Sequence, residues 1–275
     1  MQRILSICGG LLLAVLSLAA PAISEAAYLL PPPVEAKAAI VIDADTKAVL
    51  YEKSPDKRMY PASTTKIMTF MLARKLGLPQ TTVTVSSSAA GCEGSSLELR
   101  QGDRIGLQDL LYGLMLVSGN DAAEAVAEHI SGSVPAFVRQ MNAEAAAIGA
   151  RNTHFVNPHG LPDSQHYTTA RDLALITAQA LQDPEFSRVA GAATATIQMA
   201  GGKTRQISNT NKLLTRYSGM NAGKTGYTRA AGDCLVATAK RDGVQLIVVV
   251  LNDDDRWTDA ARLLDFGFAQ RGLAG

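Results

Sequence analysis

The sequence predicts a mixed α/β fold of the α+β kind, in which strands from both ends of the chain form one antiparallel sheet flanked by helices. Three observations predict it. Two short apolar runs meet at a turn near the N-terminus, helical spacing dominates residues 63–181, and β-branched runs return after residue 194.

Met1 to Ala27 carries Arg3 and then an uncharged run from Ile4 to Ser24 centred on Leu11, Leu12, Leu13, Val15, Leu16 and Leu18. Small side chains follow at Ala20-Pro21-Ala22 and Ser24-Glu25-Ala26, so residues 1–26 are expected to be a removable secretory signal. A retained anchor is the alternative, because the run approaches the roughly 20 residues that cross a bilayer. Gly9, Gly10 and Pro21 weaken that alternative. Cys8 would leave with the signal, and Cys92 and Cys234 would remain. Whether those two pair is open at this point; Cys234, within an apolar run, reads as a buried free thiol.

Pro31-Pro32-Pro33 forms a stiff spacer, so a single folded domain is expected over residues 34–272. Ala39–Asp43 and Lys47–Tyr51 flank Ala44-Asp45-Thr46 as a hairpin. From Ser63 to Leu76, Ile67, Phe70, Met71 and Arg74 recur at helical spacing before Gly77. Further helices are expected over Leu107–Leu116, Ala122–Ile130, Pro135–Ile148 and Thr168–Leu181. Strands follow over Thr194–Met199, Thr204–Ser208, Cys234–Ala239 and Val244–Leu251, with Gly201-Gly202 and Asp242-Gly243 as turns that make them antiparallel. Helical spacing returns from Arg256 to Ala269.

The chain has 26 basic and 25 acidic side chains, a formal net charge of +1 and 47% hydrophobic residues. That excludes disorder, and it leaves no polybasic field to bind nucleic acid or an anionic membrane.

Ser63 and Lys66 stand three apart at the start of the strongest helix, which places both side chains on one face. A serine hydroxyl becomes a good nucleophile only when a base takes its proton, and lysine is such a base only when neutral. Bringing a lysine from about 10.4 to roughly 7 or 8 costs ~3 to 5 kcal/mol, which demands burial beside a second cation. Ser118-Gly119-Asn120 interrupts two helices and holds a hydroxyl and an amide on a tight turn. Lys224-Thr225-Gly226 precedes a strand hairpin, where glycine lets a ligand approach the backbone. Each piece alone also reads blandly, as an N-cap, a capping loop and a glycine-rich turn. Their order along one chain is far more specific.

In that order they resemble the penicillin-recognising serine enzymes, with S-x-x-K, S-[DG]-N and K-T-G. The surrounding stretches PASTTKIMT, SGNDAA, NTHFVNPHGL and GKTGYT are similar to the D-alanyl-D-alanine carboxypeptidase family of low-molecular-mass penicillin-binding proteins. The resemblance covers nearly all of the chain after the signal. It implies a penicillin-binding-protein/β-lactamase-like domain whose helical insert carries the nucleophile, and removal of the terminal D-Ala from peptidoglycan stem pentapeptides through an acyl-enzyme on Ser63. β-Lactams would be covalent inhibitors. Lys66 is then the general base, Ser118 relays protons, and Asn120 lines the opposite wall. Lys224, Thr225 and Gly226 face the substrate, with His159 and Arg256 as further substrate-binding candidates. Backbone N–H groups of Ser63 and of the strand beside Gly226 would form the oxyanion hole.

The resemblance implies no cofactor and no metal, an extracytoplasmic location, and no stable membrane anchor once the signal is cleaved. It also leads to the expectation that the second, β-rich domain of many relatives does not follow residue 272. Four other readings compete. A β-lactamase of the best-known class would need a glutamate, which the loop from His154 to His166 lacks. A zinc peptidase would draw on His154, His159, Asp163 and His166, at irregular spacing. A D,D-endopeptidase would cleave crosslinks, and a non-catalytic relative would bind the wall without turnover.

Overall fold

The computed structural model describes residues 30–273, so the signal expected over residues 1–26, with Cys8, lies outside the described residues. After the proline spacer, β1 (Ala38–Asp43) and β2 (Val49–Lys53) form the N-terminal hairpin. Asp43 holds its turn, with Oδ1 accepting from the N–H groups of Asp45 and Thr46 at 3.1 and 2.8 Å. The middle of the chain contains α1 (Lys66–Leu76), β3 (Thr82–Thr84), α2 (Ser87–Ala90), β4 (Arg104–Gly106), α3 (Leu107–Leu116), α4 (Asn120–Ser131), α5 (Val134–Ile148), α6 (Ala170–Ala180) and α7 (Pro184–Ala190). The C-terminal part adds β5 (Thr194–Gln198), β6 (Thr204–Ser208), β7 (Met220–Thr228), β8 (Gly232–Arg241), β9 (Val244–Leu251) and α8 (Arg256–Gln270).

Five strands form an antiparallel sheet in the order β2-β1-β9-β8-β7. Alternation along the central strands sorts the apolar residues into two layers. Ile247, Val249 and Leu251 of β9 join Ile40, Ile42 and Val236 in the core shared with the helices. Leu246, Val248 and Val250 point the other way, onto Leu263, Leu264 and Phe268 of α8. Covering both faces explains why β9 reads as an unbroken apolar run from Leu246 to Leu251. Within the helical layer α1 is buried on every side from Lys66 to Ala73, so its polar side chains must find partners inside the protein. Among the described residues no helix is long and apolar enough to cross a membrane.

The structure differs from the sequence reading at several places, and the short β3, α2 and β4 were not expected at all. Ser63 does not lie in the helix itself: residues Ala62–Thr65 form a 3₁₀ turn, with Ala62 at φ +48°, and the α-helix begins at Lys66. The β5–β6 hairpin stands apart as its own two-stranded sheet. Helix α7 was not expected, because seven residues are too few to show a period; Asp183 caps it and Pro184 opens it. Finally, Lys224-Thr225-Gly226 does not precede a strand but lies within β7, whose two glycines hid it.

Candidate active site

The 3₁₀ turn presents Ser63, which is partly exposed, while Lys66 one turn later is fully buried. Lys66 Nζ donates to Ser63 Oγ at 2.9 Å, to Asn120 Oδ1 at 2.6 Å and to the His159 carbonyl at 2.9 Å. Three acceptors exhaust its three hydrogens. Burial, and then the nearby Lys224, push the Lys66 ammonium well below the ordinary lysine value. Lys66 Nζ thus stands 2.9 Å from the hydroxyl it would deprotonate once neutral.

The opposite wall is the turn between α3 and α4. Ser118 takes a left-handed backbone at φ +64°, and its Oγ is buried with no hydrogen-bond partner among the described residues. A strained residue holding an unpartnered hydroxyl is a feature expected of a functional site. Asn120 opens α4, and its Nδ2 donates to the Glu93 carbonyl at 2.6 Å, which fixes its Oδ1 toward Lys66.

The third wall is β7, the edge strand of the sheet. Lys224 is buried and pushed down to about 7, by burial first and by the charge of Arg256 second. Thr225 Oγ1 shares a 2.6 Å hydrogen bond with Thr210 Oγ1. At Gly226 a β-carbon would sit 3.0 Å from the Pro61 carbonyl oxygen and 3.1 Å from Ser63 N. The glycine thus serves a close approach of the strand to the nucleophile turn, which the sequence reading had assigned to a ligand. It brings the β7 edge beside the Ser63 N–H, the arrangement that an oxyanion hole needs.

A loop from His154 to His166 closes the floor. Thr69 Oγ1 donates to the Pro158 carbonyl at 2.5 Å, and Thr65 Oγ1 pairs with His166 Nε2 at 2.9 Å. Gly160, at φ +94°, lies so close that an added β-carbon would fall 1.8 Å from the Ala62 carbonyl oxygen. Gly160→Ala is therefore expected to destabilise the protein by at least about 2 kcal/mol and to slow reaction at Ser63 by displacing the residue before it. Urea melts and penicillin-labelling rates measure both, and wild-type values would show that the turn tolerates the shift.

A family model described as D-alanyl-D-alanine carboxypeptidase matches residues 25–255. The chain belongs to that family. The carboxypeptidase DacF of Bacillus subtilis is 37% identical over 245 residues, which are 86% of this chain and 63% of that protein. DacB2 of Mycobacterium tuberculosis is 36% identical, over 84% of this chain and 81% of its own length. The crystal structure of the Streptomyces K15 DD-transpeptidase superposes with a TM-score of 0.84 at 33% identity, covering 88% of this chain and 100% of that one. The chain thus spans less than two thirds of the length of the DacF relative.

In this D-alanyl-D-alanine carboxypeptidase family member two expected substrate-binding residues sit differently from the sequence reading. The ring of His159 does not face the cleft. Its Nε2 lies 3.6 Å from Glu124 Oε1, its Nδ1 accepts from the Leu161 N–H at 3.2 Å, and only its carbonyl reaches the site, at Lys66. Arg256 is near the site but engaged: Nη1 donates to the Gly226 carbonyl at 2.9 Å and pairs with Asp233 at 3.1 Å. Of the four residues weighed as a zinc set, His166 is tied to Thr65 and the Val156 N–H, and His154 Nδ1 faces the Gln165 carbonyl. They do not converge on one point.

Sequence reasoning missed Asp121 and Thr210. Asp121 accepts from the N–H groups of Leu97 and Leu99 at 2.9 and 3.0 Å and from Ser96 Oγ at 2.7 Å, which pins the loop whose Ser95 carbonyl receives the Asn120 N–H. Its signals were its place in the SGNDAA stretch and an acidic residue in the first turn of a helix. Thr210 carried none, since its partner Thr225 is 15 residues away. Cys92 and Cys234 are both free thiols, so the pairing left open by the sequence does not occur.

Proposed function

We propose that the protein acts outside the cytoplasm as a serine-type D-alanyl-D-alanine carboxypeptidase, with residues 34–272 as its catalytic domain. The observation that carries this reading is the fully buried Lys66 donating to Ser63 Oγ at 2.9 Å. In its neutral form Lys66 takes the Ser63 proton as Oγ attacks the carbonyl between the two D-alanines of a stem peptide. Negative charge develops on that carbonyl oxygen, facing the Ser63 N–H and an N–H of the β7 edge beside Gly226. Collapse expels D-Ala, whose amine takes a proton through Ser118, and leaves an ester on Ser63. Water, activated by the same lysine, hydrolyses it. A β-lactam forms the same ester with its leaving group still tethered, and so acts as a covalent inhibitor.

The free carboxylate of the substrate is read by Lys224 and Thr225 on the edge strand, with Arg256 as a second cation behind them. A carboxylate there gains charge-assisted hydrogen bonds worth roughly 1.5 to 3 kcal/mol each, and an amide cap leaves Lys224 without an anion. Capping the substrate is expected to lower kcat/KM at least about tenfold. Arg256→Ala narrows that gap by weakening the free acid more than the capped peptide. Equal losses on both would mean that Arg256 only braces Gly226 and Asp233. Release of D-Ala from a stem pentapeptide, followed by chromatography, tests the whole reading. Cleavage of crosslinked dimers with no release from the monomer would instead favour an endopeptidase, and no turnover of either would favour a wall-binding relative.

A further inference from the structure

Behind the catalytic lysine lies a cluster that the proposed reaction does not use. Cys92 Sγ, a Glu124 carboxylate oxygen and a His159 ring nitrogen all lie within 4.8 Å of one another. They come from three segments: the loop after α2, the α4 face one turn beyond Asn120, and the floor loop. Among the described residues no other three histidine, cysteine or acidic side chains converge in this way.

We propose that Cys92, Glu124 and His159 form a binding site for one thiophilic divalent cation such as Zn²⁺, and that filling it slows acylation of Ser63. Thiolate, imidazole and carboxylate are the donors zinc prefers, and three protein ligands leave a fourth position for water. Bond lengths of about 2.0 to 2.3 Å place the ligands of a tetrahedral zinc roughly 3.3 to 3.8 Å apart. His159 Nε2 and Glu124 Oε1 already stand 3.6 Å apart, so mainly Cys92, on a partly exposed loop, has to move. Ser88 Oγ donates to Glu124 Oε2 at 3.1 Å and leaves Oε1 facing the cluster.

The coupling to catalysis follows from the histidine tautomer. Nδ1 of His159 accepts from the Leu161 N–H, so Nε2 carries the hydrogen that faces Glu124. On binding, Cys92 releases its thiol proton to solvent, and the imidazole proton relocates from Nε2 to Nδ1, where it opposes the Leu161 N–H. Two donors cannot share that contact, so the turn shifts and draws the His159 carbonyl away from Lys66 Nζ. This second half rests on Lys66 being the base.

The test uses tag-free protein titrated with Co²⁺, read by the thiolate-to-cobalt charge-transfer absorption, and then with Zn²⁺ as competitor. The expected result is one cation per chain, loss of the absorption in Cys92→Ser, and Zn²⁺ affinity lowered at least about tenfold in Glu124→Gln. Binding that is absent, or unchanged in Cys92→Ser, overturns the site. In parallel, Zn²⁺ is expected to slow fluorescent-penicillin labelling several-fold in the wild type and to leave Cys92→Ser unaffected. Equal labelling with and without Zn²⁺ overturns the coupling. Metal-free Cys92→Ser labels at the wild-type rate, which shows that it is folded. If no variant labelled at all, the Ser63 reading would fail while the cobalt titration still decided the site.

Discussion

Ser63→Ala is expected to abolish covalent labelling by a fluorescent penicillin and to lower D-Ala release by a factor on the order of 10⁴ or more. Among the described residues Ser63 Oγ is the hydroxyl that Lys66 Nζ donates to, on a partly exposed turn. Alanine removes it with little other change, because residue 63 sits in a 3₁₀ turn whose backbone is fixed by its neighbours. Thr64 N and Oγ1 both donate to the Pro61 carbonyl, and Gly226 packs against the turn. The variant should keep the wild-type melting temperature and still bind penicillin non-covalently. Labelling at the wild-type rate would mean that the ester forms elsewhere.

Lys66→Arg is expected to slow acylation by about 10² to 10⁴, the usual range for loss of a general base. Arginine keeps a cation but remains protonated at any useful pH. Because the guanidinium is larger and position 66 is fully buried, a second variant is needed. Lys66→Ala opens space for a small alkylamine, and added amine should restore acylation in its neutral form. The wild-type pH profile supplies the independent reading. Burial and Lys224 hold Lys66 below its ordinary value of 10.5, and the active form is the unprotonated one. Acylation therefore rises with pH well below pH 10.5, and it falls again at higher pH as Lys224, pushed down to about 7, loses the charge that reads the carboxylate. A midpoint near that ordinary value, or an arginine variant that acylates normally, would place the base elsewhere.

The candidate site was legible because it resides in short, ordered motifs whose spacing is local and whose order resembles a known family. Ser63 and Lys66 are one turn apart, so their proximity follows from chain geometry alone. Burial of a lysine could likewise be argued from the demand that it be neutral. Its partners could not. The resemblance placed Asn120 and His159 near the site, but that Asn120 Oδ1 and the His159 carbonyl, 54 and 93 residues distant, would both accept from Nζ was not legible. His159 shows the same limit from the other side: the resemblance suggested it as a substrate-binding candidate and its loop equally allowed a loop-stabilising hydrogen bonder, and the structure sets its ring beside Glu124 and its carbonyl at Lys66.

Periodicity determined the longer helices and the terminal strands, and the order of three short motifs, with their resemblance to a known family, supplied the candidate site residues. Only tertiary structure decided that Lys224 to Gly226 is a strand. Two glycines among nine residues contradict strand propensity, but β7 gains from pairing with β8 and from the close approach to Ser63 that only glycine allows. Tertiary structure also decided the strained turns at Ala62 and Ser118, both with positive φ. No local preference would choose that backbone for either residue, and it persists because contacts from β7, the floor loop and the loop pinned by Asp121 outweigh its strain.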